Sequence, residues 1–353
     1  MLNSSEIDPN LILNLTLDEF LDSIGNILII DIIYMYFNTT ITFLGTFFSI
    51  ICIWVFFHKD FNLSLYTYYK ILSITSLVHE FFGFWYSLCY SPRFVPLKYQ
   101  YDCVDYGNTF VAIHYFCFFH SGLIEISILI DRISIFEPRV KKYFKIKPKI
   151  MLIMFLSVAI TIGVMGLFIY KGTDLIWYNY EYENSSLILK KHKIYFFDTT
   201  DFGKTSIGKI YVAIESFMLN VPLLILTLIL NITLIIVMKK HLTSIAARFT
   251  NQSQYRKKLK SNRKTSIMAI TLCFVSIISR TVTLTAIIVF NFGSNSTSLT
   301  LISLADLFMF VNSGCLFFVC FSFNKIFKNH LKRILRIRHI QENIKTSEIG
   351  STN

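Results

Sequence analysis

Charge is scarce in this sequence. Only 16% of its 353 residues are charged, whereas 54% are hydrophobic and 16% aromatic, and the mean hydropathy is +0.54. That balance excludes an ordinary soluble domain and makes the bilayer the expected solvent. The chain also lacks internal repeats, low-complexity tracts and a second globular domain. It has neither the His-Glu-x-x-His spacing of zinc hydrolases nor the glycine-flanked serine of serine hydrolases. Neither an enzyme, nor a metal site, nor a cofactor is therefore expected. The net charge of +12 could suggest nucleic acid, but the 34 basic residues fall in a few blocks between apolar runs. They do not build one basic domain, so no nucleic-acid partner is expected.

What the chain does have is seven apolar segments, each long enough to cross a hydrocarbon core, which takes about 20 helical residues. They run about Ile32 to Phe57, Leu65 to Leu88, Tyr106 to Ile130, Ile150 to Tyr170, Lys209 to Met238, Ser266 to Phe290 and Thr300 to Phe323. Within lipid each segment must satisfy its own backbone, and none shows the alternation of barrel strands, so all read as helices. The expected fold is an all-α membrane protein, a seven-transmembrane helix bundle over residues 32–323. Residues 1–31 precede it, and the tail 324–353 follows it. The tail begins "NKIFKNHLKRILRIRHI", which sets Phe327, Leu331, Ile334 and Leu335 on one helical face among basic residues. That pattern predicts a short amphipathic helix on the inner membrane surface, with membrane lipids as its partner.

Lysine and arginine set the orientation. The connections 58–64, 131–149, 239–265 and the tail hold 24 of them, and the opposite side holds 8. The tail is therefore expected in the cytosol and the amino terminus outside, in a multi-pass protein of the plasma membrane. Glycosylation signals at Asn3, Asn14 and Asn184 fall on the outer side, although Asn62, Asn231 and Asn251 match the same pattern on the inner side. No cleavable signal peptide is visible, so the first segment is expected to act as its own insertion signal.

The third segment runs into "ILIDRISIFEPRV", with Asp131 and Arg132 at its inner end. The fifth carries Pro222 in "FMLNVPLLILTLIL", and the seventh reads "FVNSGCLFFVCFSFNKIF", with Asn312 and Ser313. In these features the chain, over about residues 30–338, resembles the rhodopsin-like G-protein-coupled receptors. In that family an Asp/Glu-Arg-Tyr motif ends the third helix, and its arginine is held by the acid at rest and released when a G protein docks. A partly desolvated ion pair with balanced partners suits such a switch. The resemblance implies roles for Pro222 and Asn312 in activation or packing, and it matches Phe327 to the family's membrane-surface helix.

The departures are many. Ile133 replaces the tyrosine, Pro138 comes one residue early, and Leu316, Phe317 and Cys320 stand where Asn, Pro and Tyr are expected. The sixth segment lacks Cys-Trp-x-Pro, the fourth lacks Trp, Ser49 or a neighbour replaces the family's Asn in the first helix, and Ser76 is the best match for its Asp in the second. A divergent invertebrate chemosensory or peptide receptor fits best. No cysteine occurs between 118 and 272, so the family's usual outer bridge cannot form. Cys89 and Cys103 flank the first outer loop instead, and would either close a ring of about 15 residues or remain two thiols. Cys52, Cys117, Cys273, Cys315 and Cys320 read as small core residues.

Ionisable groups inside the membrane cost about 2.5 to 3.5 kcal/mol each by insertion scales unless paired or hydrated. His79, Glu80, His114, Glu215, Arg280 and Asp306 outline an expected polar ligand pocket; by resemblance, His114, Glu215 and Asp306 match pocket-lining positions. In the alternative arrangement Arg280 simply pairs with Asp306, Glu215 or Glu80. Glu125, deeper in its helix, is assigned to packing or switching, and Lys70 to snorkelling at the inner interface. The outer connection 171–209 mixes "WYNYEYEN" with "KKHK", as a lid or a decorated surface loop. The expected partners are an extracellular peptide or small polar ligand and a heterotrimeric G protein. A transporter or odorant-type channel is the competing class. The 24-to-8 charge count opposes the inward amino terminus of such channels, and no paired halves or broken helices suggest a transporter.

Overall fold

The computed structural model describes residues 33–61, 64–90, 100–137, 139–140, 156, 158–160, 164, 170–183, 186–199, 201, 205–207, 220–248, 253–292 and 295–334. A π-helical turn, Ile33–Asn38, leads into α1, Thr39–Phe56. Then follow α2, Ser64–Tyr90, and α3, Gln100–Phe136. Strands β1, Tyr170–Glu183, and β2, Ser186–Thr199, precede α4, Asn220–Arg248, α5, Ser253–Phe292, and α6, Asn295–Phe323. A last helix, α7, spans 325–334. Helices α4, α5 and α6 correspond to the fifth, sixth and seventh apolar segments. The fourth segment lies mostly outside the described residues, where 156, 158–160 and 164 are helical.

These helices are apolar on the outside as well as the inside. In α1, Phe43, Phe47, Ile50 and Trp54 form an exposed stripe, and in α4 Ile225, Ile229, Ile232 and Ile236 do the same. Such spacing follows one helical face, and only a hydrocarbon solvent makes it favourable. Among the described residues five helices are long and apolar enough to span a membrane, in α1, α3, α4, α5 and α6. Their hydroxyls are satisfied locally: Thr42 Oγ1 donates to Asn38 O at 2.6 Å, and Thr46 Oγ1 to Thr42 O at 2.8 Å.

The helices close a ring. α1 packs on α2, α2 on α3, α4 on α5, α5 on α6, and α6 returns to α1. α3 is central and touches α2, α4 and α5. Where α1, α2, α6 and α7 meet, Phe56 lies stacked on Tyr69 at 5.8 Å and edge-on to Phe61 at 5.4 Å, with Phe327 5.3 Å away. Aromatic pairs of this kind contribute about 0.5 to 1.5 kcal/mol each beyond their burial.

α7 has the predicted amphipathic character. Phe327 and Leu331 are buried and Ile334 is half-buried, while Lys325, Lys332 and Arg333 are exposed. Asn324 starts the helix, because its Oδ1 accepts from the backbone N–H groups of Ile326 at 3.0 Å and Phe327 at 3.1 Å. Leu335 lies outside the described residues.

The helices outlast their apolar runs. α3 begins six residues before the expected boundary and ends six after it, while α5 starts at Ser253 instead of Ser266. Leaving the hydrocarbon ends the need for apolar side chains, not for helix. Asp131 therefore sits five residues before the end of α3, not at its tip. The outer connection adds what an all-helical reading omits: β1 and β2 pair antiparallel from Tyr170↔Thr199 to Glu183↔Ser186, and β1 lies against α3. Tyr170, expected to close the fourth span, is the first residue of β1. Aromatic and β-branched residues in "LIWYNYEY" and "KIYFF" favour that extended pairing.

Candidate functional site

The polar groups of the bundle fall into three layers along its axis. At the end carrying the basic connections, Arg132 on α3 is 6% exposed. Its Nε donates to Asp131 Oδ2 at 3.1 Å, its Nη2 donates to the same oxygen, and its Nη1 donates to Thr265 Oγ1 on α5 at 3.2 Å. The Thr265 hydroxyl donates in turn to Asn262 O at 2.9 Å. One guanidinium thus joins an acid on its own helix to a hydroxyl on the neighbouring one. The bond to the Asp131 carboxylate is charge-assisted, whereas that to the neutral Thr265 hydroxyl is weaker, so the α3–α5 contact can be exchanged for another acceptor while the pair persists.

The middle layer centres on Glu125 and Arg280, each 1% exposed. Ser276 joins them: its Oγ donates to Glu125 Oε2 at 2.5 Å and accepts from Arg280 Nε at 3.3 Å. Arg280 Nη2 donates to Phe118 O at 3.1 Å, and the guanidinium lies 4.2 Å from the centroid of the Phe118 ring. Gly122 makes room for it, since a Cβ there would meet the guanidinium carbon at 2.8 Å. Spacing explains the meeting: Ser276 and Arg280 are one helical turn apart on α5, and Phe118, Gly122 and Glu125 follow one face of α3. Beside Glu125 lies a cavity with room for about one water molecule, lined also by Ser76, Ser121, Asn312 and Ser313.

The third layer is a histidine chain. His79 Nδ1 and Ser313 Oγ share a hydrogen bond of 2.7 Å, and His79 Nε2 shares one of 2.9 Å with His114 Nδ1. One N–H on each neutral ring satisfies these contacts, which tie α6 to α2 and α2 to α3. The rings lie among Phe110 and Phe310, and Tyr86 stacks on Phe110 at 3.9 Å. A parallel tie joins Thr75 Oγ1 to His120 Nδ1 at 2.9 Å.

Of the expected pocket residues, His79 and His114 are therefore together, and Arg280 is joined to Glu125 on the neighbouring helix. Glu80, next in sequence to His79, faces elsewhere. Its carboxyl is enclosed between α1 and α6, where a Cβ on Gly45 would lie 2.6 Å from Glu80 Cδ and one on Gly314 would lie 3.7 Å from Oε1. Neither of its oxygens has a hydrogen-bond partner among the described residues. Asp306 is half-buried on α6, and Glu215 lies outside the described residues. Pro222 is the third residue of α4 and is exposed. Asn312 is buried at the cavity beside Glu125.

Cys89 and Cys103 belong to α2 and α3, but their side chains lie outside the described residues, as do Asn3, Asn14 and Asn184. Cys52, Cys117, Cys273, Cys315 and Cys320 are free thiols, all buried except the half-buried Cys315. Asn231, one of the inner-side sequons, is 5% exposed inside the bundle, where no glycan fits. Lys70 reaches over the Phe57 ring, with its ammonium 5.5 Å from the centroid. Thr265, Ser276, Gly122 and His120 are contributors that sequence reasoning did not single out. The i, i+4 step from Ser276 to Arg280 was the only available signal among them.

No family model matches the sequence, and no curated protein matches it. Among solved structures, squid rhodopsin superposes with a TM-score of 0.62 at 12% identity, covering 87% of this chain and 86% of that chain. At that identity the likeness is one of fold. The chain has the rhodopsin-like seven-helix fold that its sequence resemblance implied.

Proposed function

We propose that the chain is a G-protein-coupled receptor of the plasma membrane. Its amino terminus would face outside and its basic connections the cytosol. The observation that carries this reading is Arg132, tied at once to Asp131 and across the bundle to Thr265, within a rhodopsin-like fold. A purely structural charge pair needs no partner on a second helix; a switch does. The lysine and arginine distribution supports the orientation.

Ligand entry is assigned to the end carrying the β1–β2 hairpin, above His79 and His114. The two imidazoles and the rings of Phe110 and Phe310 suit a small polar chemosensory molecule or a peptide side chain with one apolar face. Arg280 and Glu125 lie deeper and transmit occupancy from α3 to α5.

The test is nucleotide exchange on purified heterotrimeric G protein in membranes bearing the chain or its Arg132→Ala variant. Exchange is expected with the unaltered chain and is lost in the variant, while surface labelling stays within about two-fold. Unchanged exchange in the variant overturns the reading.

A further inference from the structure

At the same end of the bundle as Arg132, three potential metal ligands from distant parts of the chain converge. His58 and Asp60 follow α1, and His330 lies on α7; one ligand atom from each lies within 4.8 Å of the other two. His330 Nε2 is 2.6 Å from Asp60 Oδ2, His58 Nδ1 is 3.7 Å from the same oxygen, and the two imidazole centroids are 4.2 Å apart. The geometry points to a binding site for a divalent transition-metal ion of the zinc type, formed by His58, Asp60 and His330.

Ligand chemistry selects the ion. Two imidazoles and one carboxylate suit zinc, whereas magnesium and calcium favour all-oxygen shells, and copper(I) favours thiolate or thioether sulfur. Bonds of about 2.0 to 2.2 Å in a tetrahedral shell place ligand atoms about 3.3 Å apart. The observed 2.6 and 3.7 Å separations bracket that figure, so closure needs small side-chain adjustments. The anchor is fixed and the others can adjust: the His330 side chain is 8% exposed and packs against Phe61, while those of His58 and Asp60 are 43% and 44% exposed. The exposed side leaves the fourth position to water.

The Asp60 N–H donates to His58 Nδ1 at 3.4 Å, a long hydrogen bond that a metal ion on that nitrogen would replace. The ion takes the place of the proton between His330 Nε2 and Asp60 Oδ2; a neutral imidazole then carries its single proton on Nδ1, so that Nε2 presents its lone pair and the ring stays neutral. Bound metal would clamp α7 to the connection after α1, next to the surface where Arg132 is held. The site stands apart from the receptor reading, because it requires no coupling activity.

A hydrogen-bonded His330–Asp60 pair alone would not need His58, and this separates the two cases. Zinc is titrated into the full-length protein in detergent, in competition with a fluorescent zinc chelator, and cobalt(II) absorption is recorded in parallel. The unaltered chain is expected to bind one zinc ion, and the cobalt form to show visible bands of tetrahedral nitrogen–oxygen ligation. His58→Ala and Asp60→Asn are each expected to weaken zinc binding at least ten-fold, with the zinc-free melting midpoint of His58→Ala unchanged. Zinc binding in His58→Ala within two-fold of the unaltered chain, or no stoichiometric binding by the unaltered chain, overturns the proposal.

Discussion

Glu80 is a carboxyl enclosed between the backbones of two neighbouring helices, with no polar partner among the described residues. A buried polar group in that state works against folding by about 1 to 3 kcal/mol. Glu80→Met, which keeps the length and removes the polar head, is therefore expected to raise the thermal midpoint of the purified protein. A lowered midpoint would reveal an acceptor or donor serving the carboxyl. Arg280 and Glu125 behave in the opposite way, since each compensates the other through Ser276. Losing either alone leaves an uncompensated buried charge and costs about 3 to 5 kcal/mol. In a double-mutant cycle, Glu125→Met with Arg280→Met is expected to lose at least about 1 kcal/mol less than the two single variants summed. Additive losses would show that the groups are uncoupled. Arg280 illustrates how far the sequence could be read. Its presence in a membrane segment marked it as special, but the three carboxylates weighed as its partners, Asp306, Glu215 and Glu80, did not include Glu125, which it meets through Ser276, and that meeting depends on the rotation of α3 against α5. Periodicity within one helix carries no information about that angle.

At the scale of elements, α7 combines a cap, an apolar face and a docking surface. Its amphipathic pattern was legible because both faces lie within eleven residues of sequence. That Phe327 would meet Phe56 was not, since nearly the whole chain separates them. Phe327→Ala is expected to undock α7 with a loss of about 3 to 5 kcal/mol, and Asn324→Ala to remove the cap at about 1 kcal/mol. Hydrogen exchange should locate both effects in 325–334; faster exchange confined to other helices would contradict this packing. The spanning segments were legible for a simple reason: a run of about 20 apolar residues is what a bilayer demands. Their ends were not, because α3 and α5 continue as helices into water, where the composition no longer differs from that of a polar loop. The β1–β2 hairpin was missed for a related reason, as its pairing depends on the match between two strands rather than on either alone.

For the whole molecule, the Arg132–Thr265 contact ties α3 to α5 at the end carrying the basic connections. Thr265→Val keeps the shape and removes that acceptor, a loss of about 1 kcal/mol from the closed arrangement. Under the receptor proposal, ligand-independent nucleotide exchange is expected to rise about five-fold in this variant, the converse of the loss in Arg132→Ala. Equal basal exchange in Thr265→Val and the unaltered chain would detach the contact from signalling.

Arg280 and Thr265 hold the same helix fifteen residues apart, a span of about 22 Å. The upper attachment is sealed inside the protein and the lower one is only partly buried, so under the receptor proposal α5 would act as a lever with the guanidinium as its fulcrum. A tilt of about 10° around it carries the lower end sideways by about 4 Å. That is enough to part Thr265 from Arg132 while the upper layers stay in register.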